Sequence, residues 1–497
     1  MEKNRSLKVE LWTKKDVALN VITYFFNVII LIAMFLGRVA IEFAEQGKTL
    51  ADYFLDISSF VNFVILLLLI IASMLFYFIF EDRNFLRNAT NSEMIFLILE
   101  ISLIANFAMG HYVNAYLRPL ALTALLVLFL TNSKISVLVN ILFCMALFLF
   151  DSFSVGTNRL DVVYFLLMGI SSGIIATYCM RNVYSRLRLV CTSFLCSIPI
   201  ILCTLIPLTK FGGENIASSL VAGAFSGPLS AVVFMVLLPI FEAMFKKVSC
   251  FKYSEFTDHR SKFIKKMIDE APGTFNHSII VSNIAEACAT AIGEDALLAR
   301  TCAYYHDIGK LRRSEFFKEN QIGEENPHND LMPELSANII KSHTSDGYQL
   351  VMKNRLPKEI ADVCRQHHGT MPILFFYDKA KKFTDGEVDI RQYCYSGPKP
   401  QTKIAAIIMI ADSCEAATRT LKDRSIDKVT KVVRKIVSDR MQLNQFDECE
   451  ITLKELNIII HTVVNNLTGV YHSRIEYPKV SLDGVEIEST PNSNNNN

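Results

Sequence analysis

The run from Ser59 to Phe80, SFVNFVILLLLIIASMLFYFIF, has no charged residue and no polar face. A soluble helix needs a polar stripe to meet water, and a bilayer core about 30 Å thick takes about 20 apolar residues to cross as a helix. This one segment rules out a wholly soluble chain. Other apolar windows run from Val17 to Leu36, Ser92 to Gly110, Pro119 to Ser133, Ile135 to Phe150, Leu160 to Met180, Leu189 to Thr209 and Ile216 to Phe241, which makes eight expected spans. The windows on either side of Lys134 are the short ones. Apolar residues are 51% of the chain and charged ones 20%, against about 45–50% and about 25% in soluble domains.

Lys and Arg counted in the short flanking segments give the orientation. With the amino terminus inside, one side holds Lys3, Arg5, Lys8, Lys14, Lys15, Arg83, Arg87, Lys134, Arg181, Arg186, Arg188, Lys246, Lys247 and Lys252. The other holds Arg38, Lys48, Arg118, Arg159 and Lys210, so both termini are expected in the cytoplasm. The first window lacks a small-residue cleavage site and is followed by further spans, so it reads as a retained anchor. Glu100 is the one mid-span charge and reads as facing the bundle interior. Gly223, Gly227, Pro228 and Pro239 fit either close helix packing or a broken last span.

The expected organisation is a cytoplasmic amino terminus 1–16, a membrane domain 17–246 with a short external loop 37–58, a soluble domain 247–480 and a disordered polar tail 481–497. A net charge of +1 argues against a chain-wide nucleic-acid binder, so no nucleic-acid polymer is expected as partner. Twelve cysteines scattered singly without a C-x-x-C pair suggest neither a disulfide framework nor a cysteine-rich zinc site. In the soluble part, apolar residues recur at helical spacing over 263–270, 278–292, 295–308, 333–343, 357–368, 403–420, 426–441 and 453–469, which predicts an all-α domain.

Nine of the ten histidines lie there. His277, the pair His306–Asp307, His343, the pair His367–His368, and Asp412 inside IAAIIMIADSCEAA each sit within or at the end of an apolar helix. Adjacent helical residues diverge by about 100°, so a pair cannot share one packing face, but both members can reach a cation between helices. A buried carboxylate must be paired or metal-bound. Five imidazoles and two carboxylates exceed a four-ligand zinc site and suit two octahedral ions sharing a bridging group. Such a pair clamps a phosphate and activates water, the chemistry of phosphoester hydrolysis. Lys310 follows Asp307 by three positions and is a candidate contact for a phosphate oxygen, with Arg313 and His328 as lesser substrate-binding candidates.

The strings APGTFNHS (271–278), AYYHDIGKL (303–311), NPHND (326–330), SHTSDG (342–347), LPKEI with QHHGT (356–370), SGPKPQTK (396–403), MIADSCEAATR (409–419) and YHSRIEYP (471–478) resemble the seven-transmembrane HD-domain family of bacterial cyclic di-AMP phosphodiesterases. The resemblance implies a polytopic helical membrane domain followed by a cytoplasmic all-α HD phosphohydrolase. It also implies two iron or manganese ions, one held by His277, His306, Asp307 and Asp412, the other by Asp307, His343, His367 and His368. Asp307 would bridge them, with Lys310 also matching. The implied reaction opens cyclic di-AMP to pApA by attack of a metal-bound hydroxide, at the cell membrane, with the lipid bilayer, and a second copy of the chain in a homodimer, as further candidate partners.

Two departures stand out. Only residues 37–58 separate the first span from the next seven, where typical members carry a large extracellular domain, and Ser396 replaces a proline in the YSGPKP loop. Two other readings compete. One is the same dinuclear site acting on cyclic di-GMP or another nucleotide, disfavoured by the lack of a G-Y-P motif after the HD signature. The other is a non-catalytic sensor or a transporter with a regulatory domain, disfavoured by the complete ligand set and the lack of paired charges within the spans.

Overall fold

In a computed structural model, the described residues are 13–154, 159–205, 216–321, 326–383 and 387–470. The expected tail 481–497 and the string at 471–478 lie outside them. Among the described residues there is no strand, only one isolated antiparallel bridge between Pro372 and Cys394. The chain divides into two compact units, 1–253 and 254–497.

The first unit contains α1 (Lys14–Glu45), the single turn α2 (Leu50–Tyr53), α3 (Ile57–Phe80), α4 (Ala89–Tyr112), α5 (Leu122–Leu130), α6 (Ser133–Ser152), α7 (Arg159–Met180), α8 (Arg186–Leu205) and α9 (Ile216–Phe245). The helix α10 (Cys250–Phe256) runs across the division between the units. Seven of the eight expected windows are helices long and apolar enough to cross a membrane, so the chain is a multi-pass membrane protein. The window at 119–133 is different. Its helix α5 has nine residues, about 14 Å of rise, and follows a 3-10 turn at Ala115–Leu117. Eight of the nine α5 residues are buried, as an all-round apolar helix must be when protein rather than lipid surrounds it.

Short as it is, this segment reverses the chain. Ser136 at the start of α6 donates to the Ala124 carbonyl and pairs with Thr177 at the end of α7, while Arg118 meets Asp151 at the far end of α6. Residues 118–130 therefore run antiparallel to α6. Asn20 near the start of α1 donates to the Leu86 carbonyl before α4, and Glu45 at its end meets His111, so α1 and α4 run parallel. The ring of Phe129 stacks 5.4 Å from Phe251, which brings the end of α5 beside the end of the unit. Direction thus alternates along the bundle, and residues 82–88, 131–132, 181–185 and 246–249 gather at the end where α1 begins.

The opposite end holds a buried charge network. Arg38 meets Glu42 at 2.9 Å and Asp151 at 2.8 Å, and Arg118 meets the other Asp151 oxygen at 2.6 Å. All four are at most 7% exposed. Arg38 and Arg118 read in the sequence as loop charges; here they tie α1 and the 115–117 turn to α6. Helix α9 is unbroken through Pro228 and Pro239. A Cβ on Gly227 would lie 2.1 Å from the Ser193 carbonyl oxygen, so its glycine serves close packing against α8.

The second unit contains α11 (Lys262–Glu270), α12 (Pro272–Ile292), α13 (Ala296–Tyr305), α14 (Pro333–Lys353), α15 (Lys358–Gln366), α16 (Leu374–Phe383), α17 (Lys403–Arg419), α18 (Ile426–Gln442) and α19 (Leu453–Val470). Its core joins α11, α12, α13, α14, α15, α17, α18 and α19, with Ile407, Ile408 and Ile410 of α17 fully buried. Helix α14 continues ten residues past His343, because Gly347 lies inside it where Cys364 of α15 approaches a built Cβ to 3.2 Å. Helix α13 stops at Tyr305, and a 3-10 turn covers Ile308–Arg312. Helix α16 was not expected from the apolar spacing.

Asp151→Ala leaves two buried guanidinium groups without their shared carboxylate. Breaking a buried pair from one side costs about 3–5 kcal/mol. The variant in detergent is expected to unfold at a clearly lower temperature than the parent chain; an unchanged Tm would show that the network does not hold α1 to α6.

Candidate metal centre

Five elements of the second unit converge on one buried point. Helix α12 brings His277, the junction after α13 brings His306 and Asp307, α14 brings His343, the end of α15 brings His367 and His368, and α17 brings Asp412. The junction is held close to α14 by Gly309, where any Cβ would fall 1.9 Å from the His343 carbonyl oxygen. Only a residue without a side chain lets the turn carrying Asp307 lie against the helix carrying His343.

Asp307 is the hub. Its Oδ1 is 3.3 Å from His343 Nε2 and 3.6 Å from His367 Nε2. Its Oδ2 is 3.3 Å from His306 Nε2 and 3.8 Å from His277 Nε2. Each oxygen faces its own pair of imidazoles. Asp412 adds Oδ1 at 3.1 Å from His277 Nε2 and Oδ2 at 3.7 Å from His368 Nδ1. Ligand atoms of Asp307, His343, His367 and His368 lie within 4.8 Å of one another, as do those of His277, His306 and Asp307, and those of His306, His367 and Asp412.

The ring orientations show what the cluster fits. His306, His343 and His367 place Nδ1 at 2.7, 2.6 and 3.1 Å from the carbonyls of Ala303, Ile340 and Val363. With Nδ1 donating, each Nε2 carries a lone pair into the cluster. The Nε2 atoms of His343 and His367 then face each other at 3.2 Å, and His306 Nε2 and Asp307 Oδ1 are buried without a hydrogen-bond partner among the described residues. A buried acceptor left unpaired costs about 1–3 kcal/mol. Converging nitrogen and oxygen lone pairs of this kind fit divalent cations.

Charge follows the geometry. Burial opposes ionisation of Asp307, but Lys310 and His306 hold its carboxyl well below the usual carboxylate range. Burial pushes His343 down to about 3 and His368 well below the ordinary histidine range, so both are neutral imidazoles at pH 7. His277 goes the other way: burial lowers it, yet its hydrogen bonds to Asp412 and Glu415 raise it to about 10. Lys310 Nζ lies 2.7 Å from Asp307 Oδ2 and 2.7 Å from Glu319 Oε1, and these carboxylates outweigh burial to keep it charged.

The other two candidates lie apart from the cluster. Arg313 is exposed where the 308–312 turn ends. His328 is buried between Phe316 and Phe376, its Nε2 2.9 Å from the Phe316 carbonyl oxygen. Three residues that the sequence reading did not single out stand beside the ligands. Glu415 Oε2 is 2.6 Å from His277 Nδ1, Glu319 holds Lys310, and the Tyr395 ring stacks 4.4 Å from that of His368. Glu415 had a signal: it follows Asp412 by three positions, placing two carboxylates on one face of an apolar helix.

Residues 274–417 match the HD domain family, and residues 57–249 match the family described as 7TM receptor with intracellular HD hydrolase. The chain is 37% identical over 428 residues to the cyclic-di-AMP phosphodiesterase PgpH of Bacillus subtilis (strain 168), covering 84% of this chain and 60% of that protein. It is 38% identical over 388 residues to the protein of the same name from Listeria monocytogenes, covering 77% of this chain and 52% of that one. This chain therefore spans little more than half the length of these relatives. A crystal structure of the L. monocytogenes PgpH HD domain in complex with cyclic-di-AMP is 46% identical, covering 43% of this chain and 100% of that one, with a TM-score of 0.42.

A ligating imidazole must give up its proton, so cation binding at pH 7 is expected to release one from His277. The enthalpy of Mn²⁺ binding should then scale with the ionisation enthalpy of the buffer, and affinity should fall about tenfold for each unit of pH lowered below about 10. A buffer-independent enthalpy would show that His277 binds no cation or is already neutral.

Proposed function

Because the chain belongs to the family of 7TM receptors with an intracellular HD hydrolase, we propose that it is a membrane-anchored phosphodiesterase that hydrolyses cyclic di-AMP to pApA. The observation that carries this reading is the division of the two Asp307 oxygens between two sets of imidazoles. The substrate is the one of its relatives in B. subtilis and L. monocytogenes, both cyclic-di-AMP phosphodiesterases.

His277, His306, Asp307 and Asp412 would hold one divalent cation, and Asp307, His343, His367 and His368 the other. Bound there, the pair supplies Lewis-acid neutralisation of phosphate charge and a nucleophile available near pH 7. Imidazole and carboxylate donors suit iron or manganese. The chain's own contribution is placement. Asp307 fixes the spacing of the two positions, and carbonyl-anchored rings keep three imidazoles aimed. Lys310, charged and 13% exposed in its side chain, offers its ammonium to a phosphate oxygen while Glu319 keeps it from swinging away. Arg313 extends the positive edge of the same turn, and His328 supports substrate binding through the Phe316 backbone that it holds.

The active domain would face the cytoplasm at the cell membrane, with a homodimer as a candidate assembly. The positive residues Lys14, Arg83, Arg87, Lys134, Arg181, Arg186, Lys246 and Lys247 flank the segments gathered where α1 begins, as the positive-inside rule asks of a cytoplasmic face. Counting the short 115–130 segment as a pass gives one plus seven spans with both termini on that side.

The full chain in detergent with Mn²⁺ or Fe²⁺ is expected to convert cyclic di-AMP to pApA, and Asp307→Ala to lower the rate by at least about 10³-fold, as removing a core catalytic group does. Cleavage of cyclic di-GMP with cyclic di-AMP left intact would reassign the substrate. Reporters placed at residue 132 and after Lys252 should be cytoplasmic and one placed at Asn114 external; residues 114 and 132 on the same side would remove 115–130 from the passes.

A further inference from the structure

Of the imidazoles in the cluster, His277 alone lies within hydrogen-bond distance of carboxylates from another helix. His306, His343 and His367 rest their Nδ1 on carbonyls three or four residues back in their own elements. His277 Nδ1 instead lies 2.6 Å from Oε2 of Glu415, which is 138 positions away in sequence and fully buried. Glu415 and Asp412 are three apart on α17, so one helix presents two carboxylates to the two nitrogens of one ring: Glu415 to Nδ1 and Asp412 to the Nε2 side at 3.1 Å.

We infer that Glu415 is a positioning residue for His277 and makes the two cation positions unequal, strengthening the ion that His277 holds and leaving the one held by His343, His367 and His368 untouched. This rests on the dinuclear reading given above. A carboxylate behind an imidazole fixes the ring, selects the tautomer and raises the basicity of the ligating nitrogen more than a neutral carbonyl does. The His277 position also collects more negative charge, from Asp307, Asp412 and the Glu415–His277 pair, whereas the other has Asp307, three imidazoles and Asp412 only at 3.7 Å from His368. Affinity at the first position therefore depends on how α17 sits against α12, while the imidazoles of the second that rest on carbonyls are set within their own helices.

The test is a Mn²⁺ titration of the full chain in detergent after metal removal, with free Mn²⁺ read by electron paramagnetic resonance. Wild type should bind two Mn²⁺ per chain. Glu415→Gln should keep one ion at wild-type affinity and weaken the other about 10–100-fold, the usual scale for loss of such an outer partner. The magnetically coupled pair signal should give way to that of isolated Mn²⁺ at concentrations that saturate wild type. Glu415→Asp, which keeps the charge, should recover part of the loss, and if the Gln variant does not fold, the Asp variant carries the test through the same selective weakening of one ion. Two ions bound as in wild type, or both weakened equally, would overturn the inference. A wild-type chain that binds fewer than two Mn²⁺ would overturn the dinuclear reading itself, and a chain that binds two but leaves cyclic di-AMP intact would leave this inference standing while removing the substrate.

Discussion

A carboxylate at 2% exposure surrounded by imidazoles is the constraint around which the second unit is built. An ionised acid in that setting is untenable unless cationic or strongly polar groups meet both of its oxygens. The five elements that converge on Asp307 do so from four helices and one turn, and the apolar faces of those same helices form the core. Core packing and site geometry are therefore not separable here. Ile407, Ile408 and Ile410 lock α17 into the interior and, in doing so, fix where Asp412 and Glu415 point.

Much of this was legible in the sequence. All seven expected ligands meet at one place; five were marked by a pattern that packing alone does not satisfy, the His–Asp and His–His dipeptides and an aspartate in an apolar run, while His277 and His343 stood only as single histidines on apolar helices. The residues that escaped were those whose signal depends on a partner far away in the chain. Glu319 reads as an ordinary surface acid until Lys310 is seen beside it, and Tyr395 as a loop aromatic until its ring is found over His368. Helix α16 was missed because Phe375 at 70% exposed and Leu374 at 56% break the amphipathic pattern that apolar spacing looks for.

In the membrane unit the pattern of success is reversed. The long spans announced themselves by hydropathy, but the charges that organise them did not. Arg38, Arg118 and Asp151 sit at the edges of apolar windows, where a one-dimensional reading assigns them to loops. Helix α1 extends nine residues beyond the end of its apolar window, and those residues carry Arg38 and Glu42 into protein rather than water. The window at 119–133 was the ambiguous one for a related reason: its length falls short of a bilayer, and only the antiparallel register against α6 reveals which way it runs.

The absence of a side chain at position 309 has a consequence for how this second unit can change over time. Backbone of the turn lies directly on backbone of the neighbouring helix, with nothing between that could be trimmed or enlarged to compensate. Most buried positions drift through size-conserving exchanges; this one has no smaller or equal alternative to drift to. Sequence change must then accumulate elsewhere on the molecule, while the joint between the turn carrying Asp307 and the helix carrying His343 stays frozen.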